Sequence, residues 1–315
     1  MLQKPDSIAC PVCRGKRYAK VGERSDRRRG LLGVWSLCEC EGCGLISLLP
    51  TPTADQLTIF YSGYSSGDTV KFAPNRWARF PLLRKSYHWL TGEVDPRDFI
   101  NPAQGARILD YGCGQAGYLV EFHSRGWAIS GAEMSTTVVE ACQSRGLDVH
   151  QVSNPDEIPF PEESFDVVYL MQVFEHFRDP VRLMAELARI TKSGGELYLA
   201  VPNSRSIWRR IFGANWVSGW YAPFHLFHYN AECLTALAEK HGFEIIEHWS
   251  RTPLSWFLLN LKAWLHQNSN RLDLYRSPLD ASPIRFFLMA FLRVVEIFVS
   301  ERDCLLVKYV KRAQV

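Results

Sequence analysis

A chain of 315 residues with 47% hydrophobic and 22% charged residues is long enough for one full core and a small appendage, in an ordinary globular composition. Its formal net charge is +3, with four more basic than acidic residues in the first fifty and a near-neutral remainder, which disfavours a nucleic-acid modifier with its spread of positive charge. Nine cysteines, four of them in two CxxC pairs, read as metal ligands and free thiols rather than a secreted disulfide frame, and without a signal segment or an eighteen-residue apolar run a cytoplasmic location is expected.

Residues 1–50 read as a zinc-binding module. Cys10 and Cys13, then Cys40 and Cys43, form two knuckles whose spacing lets both thiolates of a pair face one ion, and two pairs make a tetrahedral four-sulfur Zn2+ site. So short a piece buries little core, and the metal would supply most of its folding free energy, on the order of 10 kcal/mol. Cys38 lies near enough to compete with Cys40, but the Cys-x-x-Cys-Gly form favours Cys40 with Cys43. Residues 15–30 between the knuckles are basic, with Tyr18 their one aromatic residue. That reads as a solvated hairpin, because an RNA reader would need rings on which bases stack. Residues 51–104 form a linker and helical segment, with a turn at Pro50 and Pro52, a short helix, and an aromatic stretch over 72–100 that carries Trp77, Tyr87 and Trp89.

The largest piece, 105–315, opens with RILDYGCGQAGYLVEF over 107–122. An apolar strand ends near Asp110, Gly112, Gly114 and Gly117 permit a tight turn, and a helix follows whose free amides point back at whatever occupies the turn. The glycine spacing alone is shared with dinucleotide sites. The aspartate before the first glycine makes D-x-G-x-G, which resembles the first motif of class I S-adenosylmethionine (SAM) methyltransferases. That resemblance implies Asp110 near the methionine amino group, with Gly112 and Gly114 in contact with the cofactor.

A second strand from Trp127 ends at Glu133, about twenty residues past the turn, where a carboxylate accepts the two ribose hydroxyls. Helix 136–145 and strand 147–152 follow. Residues 154–180, NPDEIPFPEESFDVVYLMQVFEHFRDP, resemble the family's stretch D-x-x-x-LPF, FDvV, EH. Asn154 stands where the family usually has the aspartate that bonds the adenine amino group, and its carbonyl can still accept. Strand 165–171 delivers Gln172, Glu175 and His176 to the cleft, with Gln172 on the cofactor side. A helix from Asp179-Pro180 to Ile190 and strand 196–203 fit the family's next region.

The tryptophan-rich residues 204–224, with Trp208, Trp216, Trp220 and Tyr221, suit a lid or acceptor pocket and equally plain packing. His225 and His228 lie in an element similar to the family's P-x-H-x-x-x-(F/Y), which lines the acceptor side. Helix 230–241, strand 243–249 and an antiparallel final strand 304–310 complete the pattern. The insertion at 250–300 holds two apolar helical segments, PLSWFLLNLKAWLH and IRFFLMAFLRVVEIFV. In the second, Arg285, Arg293 and Glu296 cluster on one side and leave a broad apolar face. Such segments could lie on a membrane, bury against each other or line a greasy channel.

Together with the knuckles, this looks like bacterial small-molecule SAM methyltransferases that carry an N-terminal zinc module. The resemblance implies an α/β, doubly wound, Rossmann-like seven-stranded sheet in the order 3-2-1-4-5-7-6 with the last strand antiparallel. It also implies SAM and Zn2+ as cofactors, and methyl transfer to a small-molecule acceptor such as a lipid-linked or glycan intermediate. The alternatives are an RNA or protein methyltransferase that reads through its zinc module, and a SAM-binding protein without turnover. His176 is the first candidate for removing the acceptor proton and His225 the second, since imidazole is neutral near cellular pH. Peripheral attachment through 253–299 at the inner face of the membrane is a further expectation, and the oligomeric state is left open.

Overall fold

The computed structural model describes residues 9–28, 30–62, 80–114, 116–124, 126–152, 157–266, 279 and 281–313. It opens with an antiparallel meander of β1 (Tyr18–Arg24), β2 (Trp35–Cys40) and β3 (Ile46–Leu49). Helix α1 (Ala54–Ser62) starts from a reciprocal cap, in which the Gln56 amide donates to Thr53 Oγ1 at 3.2 Å and the Thr53 amide to Gln56 Oε1 at 2.9 Å. Helix α2 (Pro81–Thr91) ends at Gly92, where φ is 71° and an added Cβ would stand 2.1 Å from the Thr252 carbonyl oxygen. Only glycine meets both demands.

The main sheet begins with β4 (Arg107–Tyr111), which leads through the glycine turn into α3 (Gly117–Ser124). There follow β5 (Ala128–Glu133), α4 (Thr136–Gln143), β6 (Val149–Gln151) and β7 (Phe165–Met171). Helix α5 (Pro180–Ile190) starts where Asp179 accepts the amides of Val181 and Arg182 at 3.1 and 3.0 Å. After it come β8 (Thr191–Pro202), α6 (Ile207–Phe212), α7 (Val217–Trp220), β9 (Phe227–His228) and α8 (Ala231–Glu239). The chain closes through β10 (Phe243–Arg251), α9 (Leu254–Leu265), α10 (Ser282–Phe298) and β11 (Cys304–Lys311).

Seven strands lie in the order β10-β11-β8-β7-β4-β5-β6, with β11 antiparallel to both neighbours and the other pairs parallel. Counted from β4, this is the expected 3-2-1-4-5-7-6. The period of two divides the strand side chains between two cores. Leu109, Val168, Leu170 and Leu199 pack with Leu183, Met184 and Leu187 of α5, while Ile108, Val167, Tyr169 and Tyr198 belong with Leu119 and Phe122 of α3 and Val138 of α4. Helices on both faces leave the strand carboxyl ends as the open edge of the sheet.

The N-terminal meander is hydrogen-bonded to the rest of the chain. Its β3 pairs antiparallel with β9, Ile46 opposite His228 and Ser47 opposite Phe227, so the order of this smaller sheet is β1-β2-β3-β9. The two apolar helices of the insertion differ. Leu254, Phe257, Leu258 and Ala263 of α9 are buried, whereas α10 buries Leu292 and Arg293 and exposes Phe286, Phe287, Phe291, Ile297 and Phe298. Arg293 of α10 donates to the carbonyls of Trp89 and Thr252, each at 3.1 Å, and pairs with Glu296 at 2.7 Å. Arg293 and Glu296 thus face the protein beside Leu292, while Arg285 and a broad run of apolar side chains look outward, unlike an ordinary surface helix.

Candidate active site

The cofactor side of the cleft grows from β4 and β5. Asp110 is buried at the end of β4, and its Oδ2 has no hydrogen-bond partner among the described residues. Loss of water pushes its carboxyl up to about 7, with the Tyr169 phenol opposing and the Glu133 charge adding. Gly112 turns at φ 79°, and an added Cβ there would stand 2.5 Å from Cγ2 of Val173. The crowding at Gly112 thus comes from the residue after Gln172, while an added Cβ at Gly114 or Gly117 would meet nothing within 4 Å.

The Gly114 amide donates to Glu133 Oε2 at 2.9 Å, and the Met134 and Ser135 amides donate to Oε1 at 2.7 and 3.0 Å. Three fixed amides hold this carboxylate in place and leave capacity on its oxygens. A buried orphan acceptor, an open glycine edge and an oriented carboxylate fit a ligand with an ammonium group, a narrow chain and a ribose. Asn154 lies outside the described residues. Gln172 has φ 58° and sends its Nε2 to Cys304 Sγ at 3.3 Å, on the β11 side, with its Oε1 unpartnered among the described residues.

The acceptor side is assembled from distant segments. The turn after β7 presents Glu175 and His176, the segment after α7 brings Tyr221, Phe224 and His225, and α1 brings Tyr61. His176 Nδ1 lies 3.0 Å from the Phe224 carbonyl oxygen and 3.0 Å from the Tyr61 hydroxyl. A carbonyl only accepts, so Nδ1 carries the proton and Nε2 the lone pair. By the same reasoning His225 donates from Nδ1 to the Gly219 carbonyl at 2.7 Å, and its Nε2 lies 3.8 Å from Glu175 Oε1.

Desolvation lowers His176 to about 4, helped by the positive charge of Arg28, and it lowers His225 as well. Both imidazoles are neutral at pH 7. Glu175 is fully buried with neither oxygen partnered among the described residues, and burial pushes it up to about 8, so it is protonated there. Glu175, His176 and His225 bring ligand atoms within 4.8 Å of one another, a spacing a metal could use. The Arg28 charge beside both rings counts against a cation.

The tryptophans of the lid are packing residues. Trp208, Trp216 and Trp220 are buried, Trp208 Nε1 donates to Thr252 Oγ1 at 2.8 Å, and Trp216 Nε1 donates to Asp303 Oδ1 at 2.7 Å. Tyr61 and Arg28 were not singled out for the site by sequence. Glu175 was placed at the cleft beside His176 by the EH stretch, Tyr221 lay in the stretch read as a lid, acceptor pocket or plain packing, and Tyr61 and Arg28 carried no signal.

The four knuckle thiols come together. Cys10 Sγ is 3.5 Å from Cys43 Sγ, Cys13 Sγ is 3.4 Å from Cys40 Sγ, and all four lie within 4.8 Å of one another. Bonds of about 2.3 Å to a tetrahedral zinc would set sulfurs about 3.8 Å apart, so the set fits such an ion. Gly15 and Gly42 make room, since an added Cβ would stand 3.2 and 3.1 Å from Cys13 Sγ. Cys38 is buried and outside the cluster. The hairpin beyond it is not simply solvated, because Arg24 lies 5.0 Å over the Trp220 ring and Arg28 lies 3.9 Å over Tyr221.

Residues 90–248 match the family described as "Methyltransferase domain". Over 175 residues the chain is 29% identical to a ubiquinone biosynthesis O-methyltransferase of Paracidovorax citrulli, covering 49% of this chain and 73% of that protein. Over 167 residues it is 29% identical to a probable S-adenosylmethionine-dependent methyltransferase of Mycolicibacterium smegmatis, covering 52% and 62%. A ubiquinone biosynthesis O-methyltransferase of Brucella anthropi is 36% identical over 128 residues, 38% of this chain and 51% of its own length. The matched region thus spans from about half to three quarters of these relatives. Among solved structures, the [4+2]-cyclase SpnF aligns with a TM-score of 0.50 at 20% identity, covering 84% of this chain and 98% of that one. That likeness is one of fold alone.

Proposed function

We propose, because this chain belongs to the methyltransferase domain family and is a SAM-dependent methyltransferase, that it methylates an oxygen of a small lipid-linked or glycan-type acceptor. The observation that carries this reading is the neutral His176, whose ring is held through Nδ1 by the Phe224 carbonyl so that Nε2 carries the lone pair, beside the open carboxyl ends of β4 and β7. Relatives named O-methyltransferases support oxygen as the receiving atom.

Bound SAM supplies an electrophilic methyl group on a sulfonium. Asp110 meets the ammonium of the amino-acid end, which favours its ionised form, while Glu133 takes the ribose and Gly112 and Gly114 let the backbone approach. Asn154 and Gln172 remain as further contacts. His176 Nε2 accepts the acceptor hydroxyl proton as the oxygen takes the methyl, with His225 as the second candidate. An imidazole lowered to about 4 is a weak base, adequate because the hydroxyl becomes strongly acidic only as the new bond forms. Positioning then supplies most of the rate.

Cys10, Cys13, Cys40 and Cys43 hold a structural Zn2+ in this reading, and residues 1–50, 51–104 and 105–315 serve as module, linker and catalytic piece. The outward greasy face of α10, beside exposed Leu82, Tyr87 and Trp89 of α2, supports docking on the surface of a bilayer. No helix among the described residues is long and apolar enough to cross one. The decisive experiment incubates pure protein with methyl-labelled SAM and fractionated cell extract. The expected product is solvent-extractable and resists protease and nuclease, and label found only in RNA or protein would overturn the reading.

A further inference from the structure

The hairpin between β1 and β2 encloses a charged cavity against the lid. Arg24, Arg27, Arg28, Trp220, Tyr221 and Ala222 line a space of about 100 Å3, which Glu23 and Asp26 also touch. Both acids are engaged elsewhere. Glu23 accepts from Lys20 at 2.7 Å, and Asp26 accepts the amides of Arg28 and Leu31 at 2.9 and 3.1 Å. Arg27 is spent as well, on Asn215 and on the carbonyls of Ala263 and His266.

Arg24 and Arg28 remain. Arg24 donates from Nη1 to the Glu23 carbonyl at 2.6 Å and lies 5.0 Å over Trp220, a ring that Arg209 approaches at 5.7 Å, and the Nε atoms of Arg24 and Arg209 are buried without a partner among the described residues. Arg28 lies 3.9 Å over the Tyr221 ring, and among the described residues its guanidinium makes no hydrogen bond. Burial holds both Arg24 and Arg209 below their ordinary value, and the nearness of Arg209 adds to this at Arg24. Guanidinium groups held on aromatic faces with donors left over are suited to bidentate recognition of an oxyanion. The space is well under the roughly 300–1,000 Å3 of a pocket for a whole ligand, so it suits one charged group.

We infer that this cavity binds a phosphate ester group of the methyl acceptor. The inference rests on the methyltransferase reading, because the Tyr221 ring lies 5.3 Å from His225 and His225 lies 4.7 Å from His176. The anchored phosphate would hold the acceptor hydroxyl on the histidine side. Its source is either a soluble phosphorylated acceptor or a lipid phosphate.

The test is calorimetric titration of the full zinc-loaded chain with inorganic pyrophosphate at constant ionic strength, followed by SAM on the same sample. Saturable binding is expected, weakened roughly tenfold or more in Arg28→Gln and in Arg24→Gln, with SAM affinity unchanged. Arg24→Lys keeps the charge without the fork and should recover only part of the loss. A parallel arm measures flotation with phosphatidylglycerol vesicles. Retention lost in Arg28→Gln assigns a lipid source, and retention untouched by that variant assigns a soluble one. SAM binding without pyrophosphate binding, or pyrophosphate binding indifferent to all three variants, overturns the inference and leaves the methyltransferase reading intact. Absence of SAM binding strikes that reading instead.

Discussion

The two sides of the proposed cleft are built in opposite ways. The cofactor side is nearly continuous in sequence, since Asp110, Gly112, Gly114 and Glu133 sit on one strand, its turn and the next strand, braced by backbone amides. The acceptor side gathers Arg28, Tyr61, Glu175, His176, Tyr221 and His225 from four separated segments. A local site keeps its shape as long as its strands pair, whereas an assembled one depends on every joint between segments, including the β3–β9 pairing. The two sides should therefore fail separately.

The largest expected effect tests that separation directly. Chelation or Cys13→Ser should unfold the meander, with up to about 10 kcal/mol of metal-linked folding free energy at stake. Acceptor turnover should disappear while SAM affinity stays within a few-fold by calorimetry, and an equal loss of both would erase the contrast. Next comes His176→Gln, which should lower kcat by about 10²–10⁴ with SAM affinity intact. Near-normal turnover would leave positioning as the whole mechanism.

Asp110→Ala should weaken SAM by about 10- to 100-fold, roughly 1.4–2.7 kcal/mol, with the acceptor KM little changed. Stability against pH separates the sides again. Glu175 and Asp110, raised to about 8 and about 7 by burial, bind protons in the fold that the unfolded chain has released above its ordinary carboxyl value. Their contribution is full at low pH and is lost as pH rises through the folded values. Between pH 6.5 and 8 Glu175 alone should cost on the order of 2 kcal/mol, visible in urea melts. Glu175→Gln should remove that share of the slope, and saturating SAM should flatten only the share of Asp110. The smallest effect on stability, within about 0.5 kcal/mol, belongs to the pair Phe286→Ser and Phe291→Ser, which should nevertheless reduce flotation with liposomes. Undiminished flotation would exclude α10 as the contact.

Legibility followed the same divide. Strands β4, β5 and β7 and the cap at Asp179 could be read because each is signalled by adjacent residues: an apolar run, a glycine turn, an Asp-Pro start. Tyr61 and Arg28 carried no such signal, since their roles come from which segment lies against which. The hairpin at 15–30 looked solvated because charge in sequence does not reveal that Trp220 and Tyr221 await it. The insertion helices were alike in composition, but α9 turns most of its apolar side chains inward, while α10 is held by Arg293 on buried carbonyls with its phenylalanines outside. Periodicity locates a face without saying which way it looks. β9, only two residues long, is too short for any pattern.

That short strand also sets a schedule. Leu49 and Phe227 are about 180 residues apart, and at roughly 5–20 residues per second on a ribosome the β3 edge waits about ten seconds or longer for its partner. Through that interval the nascent meander carries an open strand edge and thiols that have yet to be enclosed. If the four thiols hold zinc as proposed, a cell short of the metal would leave the chain exposed to capture by chaperones or other strands before the rest has been synthesised, and the yield of active enzyme would then track metal supply during translation.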